Sequence, residues 1–251
     1  MKSLFITFLG LYLGLSANLF AGLSKLPYYP PSLDHLKNTE LKEELQKAIL
    51  QKKVLSYKQA RRELFGAIYI EKDSSGYYVE DTYCEERYDS KSGVGPGRIP
   101  NHTILNCEHT WPQSRFNHSQ SSSAQKSDLH HLFPVNSVAN STRGNIPFGE
   151  VNGDYVRNCQ ASSRGSDTAD GGESFEPSKY HKGNVARALF YFALRYKLDI
   201  DPTEEAHLRA WHRLDPVDQK EIERHEMIYQ IQGNRNPFID DETLIDRIDN
   251  I

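Results

Sequence analysis

An α+β fold, mostly helical and in one domain, is what the sequence predicts, on three observations. Apolar residues recur at helical spacing toward both ends of the chain, as at Leu41, Leu45 and Ile49 and again at Val185, Leu189, Phe192 and Tyr196. Short extended stretches sit between them, among them a small strand–strand–helix unit near the middle. No internal repeat and no Pro/Ser linker divides the chain, and a mature length of about 230 residues suits one core or two small ones.

Residues 1–22 open with Lys2, continue through an apolar run over 4–13 and end on Phe20-Ala21-Gly22. A basic start, a short hydrophobic stretch and small residues at the end describe a signal peptide. Gly10, Gly14, Ser16 and Asn18 interrupt the run, which is short for a membrane span. The expectation is export to the periplasm or the medium, with residues 23–251 as the mature domain and no membrane attachment in that form. Residues 34–65 read as helical, with Leu41, Leu45, Ile49 and Leu50 on one side and Ala60, Leu64 and Ala67 on the next segment. Residues 77–83 alternate like a strand. Residues 90–100, with Gly93, Gly95 and Gly97, read as a loop without the Gly-Lys-Ser/Thr ending of a phosphate-binding P-loop.

Ile104, Leu105, Thr110 and Trp111 then mark a short strand with Glu108 and His109 near its end, and residues 132–135 a second one. Asn136 is placed to cap a helix that Gly144 terminates, so Asn136, Asn140 and Arg143 share a face. Residues 144–172, rich in Gly, Asn, Asp and Ser, read as a long irregular segment. An apolar helix over 185–196 and helices over 208–214 and 221–231, broken at Asp215-Pro216, complete the chain.

The chemistry concentrates between Asn106 and Asn145. Hydrolysis of a phosphodiester needs an activated water, charge relief on the phosphoryl oxygens and help for the leaving oxygen. Neutral His109 can accept the water's proton. On an extended strand Glu108 points to the other side of the backbone, so the two do not duplicate one role. A hard cation such as Mg²⁺ prefers oxygen ligands and keeps several waters, so Glu108 and the Asn140 amide suffice as its protein anchors. Arg143 offers a fork that matches phosphate oxygens. Other residues have plainer readings: Trp111 as a core aromatic, His130 as a structural hydrogen-bonding group, His131 without a role, and Arg235 and Asn236 as holding the C-terminal segment. Asp128 either orients a histidine or caps a turn.

Three ordered motifs, Glu-His-Thr-Trp-Pro-Gln-Ser from Glu108, Asp-Leu-His-His-Leu-Phe-Pro from Asp128 and Asn-Ser-Thr-Arg from Asn140, resemble the endonuclease I family of secreted non-specific nucleases. The segment from Ile231 to Ile239 resembles that family's closing signature. The resemblance spans residues 40–245 and implies a ββα-metal (His-Me finger) site embedded in the fold. It implies His109 as general base, Glu108 and Asn140 as ligands of one Mg²⁺, and products with 5′-phosphate and 3′-hydroxyl ends. Some members carry a phosphate-binding Arg between the first two motifs. The Ser-rich stretch 119–127 has none here, which leaves Arg143 first and Arg115 second for the scissile phosphate. DNA is the expected substrate, with RNA as a second, both bound through the backbone without sequence specificity by a monomer.

The formal charge of −4 argues against a protein that coats nucleic acid by charge alone. Two rival classes were weighed: a zinc hydrolase using His102, His109, His118 and His130, and a catalytically silent nucleic-acid-binding module. No histidine pair has the helical His-x-x-x-His spacing, and the oxygen ligands suit a harder cation than zinc. A silent module would not need the full set of acid, base, amide and cation. Three cysteines allow at most one disulfide, for which Cys84 with Cys107 is preferred, or all three stay reduced.

Overall fold

The helical periodicity at the start of the chain becomes two helices in the computed structural model, which describes residues 31–50 and 53–251. The expected signal peptide lies outside the described residues. Helix α1 (Asn38–Ala48) buries Leu41 and Leu45. Ile49 is buried just past its end, but Leu50 points outward, against expectation, because the helix has ended and the face no longer continues. Helix α2 (Tyr57–Glu63) begins at a capping box in which Ser56 and Gln59 satisfy each other's backbone N–H groups. It runs into a π-helical turn, Leu64–Ile68. Strands β1 (Glu71–Asp73), β2 (Gly76–Glu80) and β3 (Arg87–Tyr88) form an antiparallel sheet.

Strand β4 (Leu105–His109), helix α3 (Ser122–Ser127), strand β5 (Leu132–Asn136) and helix α4 (Ser137–Arg143) follow. β4 and β5 pair antiparallel, with Glu108 opposite Phe133 and His109 opposite Leu132. Asn136 caps α4 as expected, its side chain accepting from the N–H groups of Val138 and Ala139, and Gly144 ends it. The helix lies across both strands, which makes the expected strand–strand–helix unit.

Residues 144–172 depart from expectation. They hold β6 (Val151–Val156) and β7 (Cys159–Asp167), which with β8 (Glu173–Glu176) form a second three-stranded sheet in the order β6-β7-β8. Gly153 and Gly165 face each other across β6 and β7, and a Cβ on either would come within 2.5–2.6 Å of the other's Cα. The small residues that resemble loop chemistry are there because the two backbones touch.

The closing helices are α5 (Lys182–Tyr196), α6 (Pro202–Leu214), α7 (Gln219–Gln232) and α8 (Pro237–Asp240). α5 is buried on nearly every side, as a helix apolar all round must be. Even its Arg187 is sealed in and paired with Glu221 of α7. One apolar cluster gathers α1, α5, α6 and the C-terminus; a second gathers α2, Leu105, Cys107, Leu129 and Leu132. The mixed α+β class is as expected. The preferred disulfide is not: Cys84 bonds Cys159, and Cys107 is a buried free thiol. Cys107 points into the second cluster, whereas Cys84 and Cys159 both border the first.

Candidate active site

Alternation along β4 separates Glu108 from His109. Glu108 is 2% exposed, and its Oε1 accepts hydrogen bonds from the Tyr83 hydroxyl at 2.9 Å and lies 3.1 Å from the Arg143 guanidinium. Burial pushes the carboxyl up from its usual range, with Arg143 and the Tyr83 hydrogen bond pulling it back.

Tyr83 is held in turn by its surroundings. Asp81 accepts from four backbone N–H groups, those of Tyr83, Cys84, Glu86 and Asn136. This knots the 81–86 turn and ties it to the start of α4. The Cys84–Cys159 disulfide and the Ser162 hydroxyl, which donates to the Tyr83 carbonyl at 2.7 Å, clamp the turn to β7.

His109 faces the other way, toward α2 and α3. Its Nε2 lies 3.0 Å from the Lys126 carbonyl oxygen. A carbonyl only accepts, so Nε2 carries the proton and Nδ1 keeps the lone pair. The Gln113 amide nitrogen donates to Nδ1 at 3.3 Å, and Gln113 is exposed. Burial lowers the His109 pKa to about 4, helped by the neighbouring Lys126 and Arg143 charges. The ring is therefore neutral at pH 7.

Asn140 stands one turn before Arg143 on α4. Arg143 reaches Glu108, so Asn140 lies on the Glu108 side of the helix. The Asn140 amide is half-buried and makes no hydrogen bond among the described residues. A carboxylate and an amide oxygen on adjoining elements fit a hard divalent cation completed by water. No cluster of three His, Cys, Asp or Glu suited to a metal occurs among the described residues.

The two arginines expected at the phosphate both have partners within the protein. Arg143 is 1% exposed. Beyond Glu108, it donates to the carbonyls of Thr110 at 2.7 Å, His109 at 3.3 Å and Gly144 at 3.4 Å, with its guanidinium over the Phe148 ring. Both terminal nitrogens of its fork are engaged inside the protein, while its Nε has no partner among the described residues. Arg115 is turned to Glu204 at 3.4 Å and stacked on Trp111. Trp111 is a core residue stacked on Phe192.

His130 bonds the Asn234 carbonyl and His131 the Gln125 carbonyl. Asp128 orients no histidine: it caps the turn at His130 N–H and accepts from Tyr191, Tyr196 and Gln232. Arg235 pairs with Asp240 and Glu226, and Asn236 caps α8 and donates to the Arg187 carbonyl. The C-terminal signature is thus a structural latch. Tyr83, Gln113 and the Lys126 carbonyl were not anticipated; only Gln113 lay inside a quoted motif.

The profile of the Endonuclease I family matches residues 37–243. An extracellular ribonuclease of Bacillus amyloliquefaciens is 35% identical over 182 residues, which are 65% of this chain and 58% of that protein. An extracellular ribonuclease of Bacillus subtilis (strain 168) is 37% identical over 161 residues, 57% of this chain and 53% of that protein. An extracellular deoxyribonuclease of Aeromonas hydrophila is 33% identical over 116 residues, 45% and 48% of the two chains. The chain thus spans about half the length of these relatives.

Proposed function

The chain belongs to the endonuclease I family, and on that premise we propose that it is a secreted, metal-dependent, sequence-non-specific endonuclease acting on DNA and RNA. The similarity to both extracellular ribonucleases and a deoxyribonuclease supports the two substrates and the export. The observation that carries the reading is the divided surroundings of Glu108 and His109.

His109 is the general base. The Lys126 carbonyl holds the proton on Nε2, so Nδ1 is the nitrogen that takes a proton from the attacking water. Gln113, which donates to Nδ1, is exposed and free to yield that place to water. Glu108 and Asn140 hold one Mg²⁺, which when bound relieves charge on the phosphoryl and leaving oxygens. Arg143 and Tyr83 hold the Glu108 carboxylate in place. Attack of the water in line with the P–O3′ bond, with the 3′ oxygen leaving, would give 5′-phosphate and 3′-hydroxyl ends.

The test separates the neighbours. His109→Ala should keep metal affinity and lose roughly 10²–10⁴ in single-turnover rate, the usual worth of a positioned base. Added imidazole should recover part of that loss, and added Mg²⁺ none. Glu108→Gln should weaken metal binding and regain some activity as Mg²⁺ is raised. If His109→Ala loses the metal and Glu108→Gln keeps it, the roles are reversed.

A further inference from the structure

With Arg143 buried and Arg115 turned to Glu204, the cations nearest His109 that keep no acidic partner are on α2 and α3. The Tyr57 ring lies 5.5 Å from the His109 ring, centroid to centroid. The ring is half-buried beside β4, in the apolar cluster that also holds Cys107. Lys126 Nζ lies 4.7 Å and the Arg61 guanidinium carbon 5.7 Å from the centroid of that ring. Neither cation has a carboxylate within ion-pair distance among the described residues, and the Arg61 Nε is buried without a hydrogen-bond partner. Two cations gathered at one aromatic ring and left without counter-charge lack an anion.

Their position says which anion. The Lys126 carbonyl closes the Nε2 end of His109, so the reacting phosphate belongs at the opposite, Nδ1 end. We propose that Lys126 and Arg61, positioned by Tyr57, form a clamp for the backbone phosphate that flanks the scissile one. The clamp rests on the nuclease reading and adds a substrate requirement to it. Efficient cleavage needs a second phosphate beside the broken bond, so a polymer is preferred over an isolated diester. Lys58 and Arg62, exposed on α2, extend the same positive strip and lead the strand away from the site.

The experiment compares Arg61→Gln and Lys126→Gln with the wild type on two substrates. One is a long DNA or RNA strand; the other is bis(p-nitrophenyl) phosphate, which has a single phosphate. The Lys126 substitution leaves its main-chain carbonyl in place. For each variant the ratio of polymer to small-diester kcat/KM should fall about tenfold, the order expected for a lost charged hydrogen bond. The loss should appear mainly in KM. The slope of log affinity against log salt should become shallower by about one for each cation removed. A purely structural role would not move that slope, and melting curves show whether each variant is folded.

An unchanged ratio with an unchanged slope overturns the clamp. So does an equal loss on both substrates, which would place the cations at the reacting phosphate. If the wild type hydrolyses neither substrate with any divalent metal, the nuclease reading fails first and takes the clamp with it.

Discussion

Glu108 and His109 are adjacent in sequence and share almost no surroundings, because a strand sends neighbouring side chains to opposite faces. That much was legible: acid and base near a strand end, and an amide one turn before a cation on the following helix. The use of Arg143 was not. A cation three residues after Asn140 reads the same whether its fork meets a phosphate or the protein's own carboxylate, and only burial separates the two. Arg143→Ala is therefore expected to cost about 3–5 kcal/mol in stability by leaving Glu108 buried and unpaired. It should also weaken metal binding, since Glu108 loses its anchor. Thermal melts and metal titration check this. A variant that melts like the wild type and loses only turnover would return Arg143 to the phosphate. Tyr83 escaped notice for a related reason, since it meets Glu108 from 25 residues away and no local pattern announces such a contact.

Among the elements, the strand–strand–helix unit and the closing helices were legible because periodicity and capping signals are local. The β6–β7 hairpin was not. Its strands are half exposed and carry few apolar residues, and its glycines stand at a close backbone approach rather than in turns. Gly165→Val should destabilise the fold, because its side chain meets the β6 backbone; a lowered melting temperature would confirm it and an unchanged one would refute it. The hairpin also supplies Cys159. Breaking its bond to Cys84 with Cys159→Ser should cost about 2–4 kcal/mol. Activity should fall as well, because the turn that aims Tyr83 at Glu108 loses a clamp. Cys107→Ala should leave the 84–159 crosslink intact in a peptide map. Free thiols at Cys84 and Cys159 in that variant would contradict the observed pairing.

At the scale of the whole molecule, six histidines (109, 130, 131, 181, 212 and 225) are held below their ordinary pKa, each chiefly by burial. His181 is packed edge-on against Phe133 and Tyr83, and its value falls to about 3. Between that value and about 6.5, the unfolded chain binds a proton that the folded chain refuses. The folded state is thus unaffected above pH 6.5 and loses stability as pH falls below it. His181→Phe should make the decline in stability between pH 6 and pH 4 shallower by about 1.4 kcal/mol per pH unit. Denaturant titrations at several pH values measure it, and equal slopes for variant and wild type would refute it. Charge is also uneven: the last stretch, from Asp199 on, carries fourteen acidic and six basic residues. The most direct test of a one-metal nuclease is to incubate the metal-stripped mature protein with supercoiled plasmid and with RNA, adding back Mg²⁺ or zinc. Mg²⁺ should restore cleavage of both to a smear without discrete bands, with DNA ends that a ligase joins directly. Cleavage that persists in EDTA, or that returns only with zinc, would contradict it.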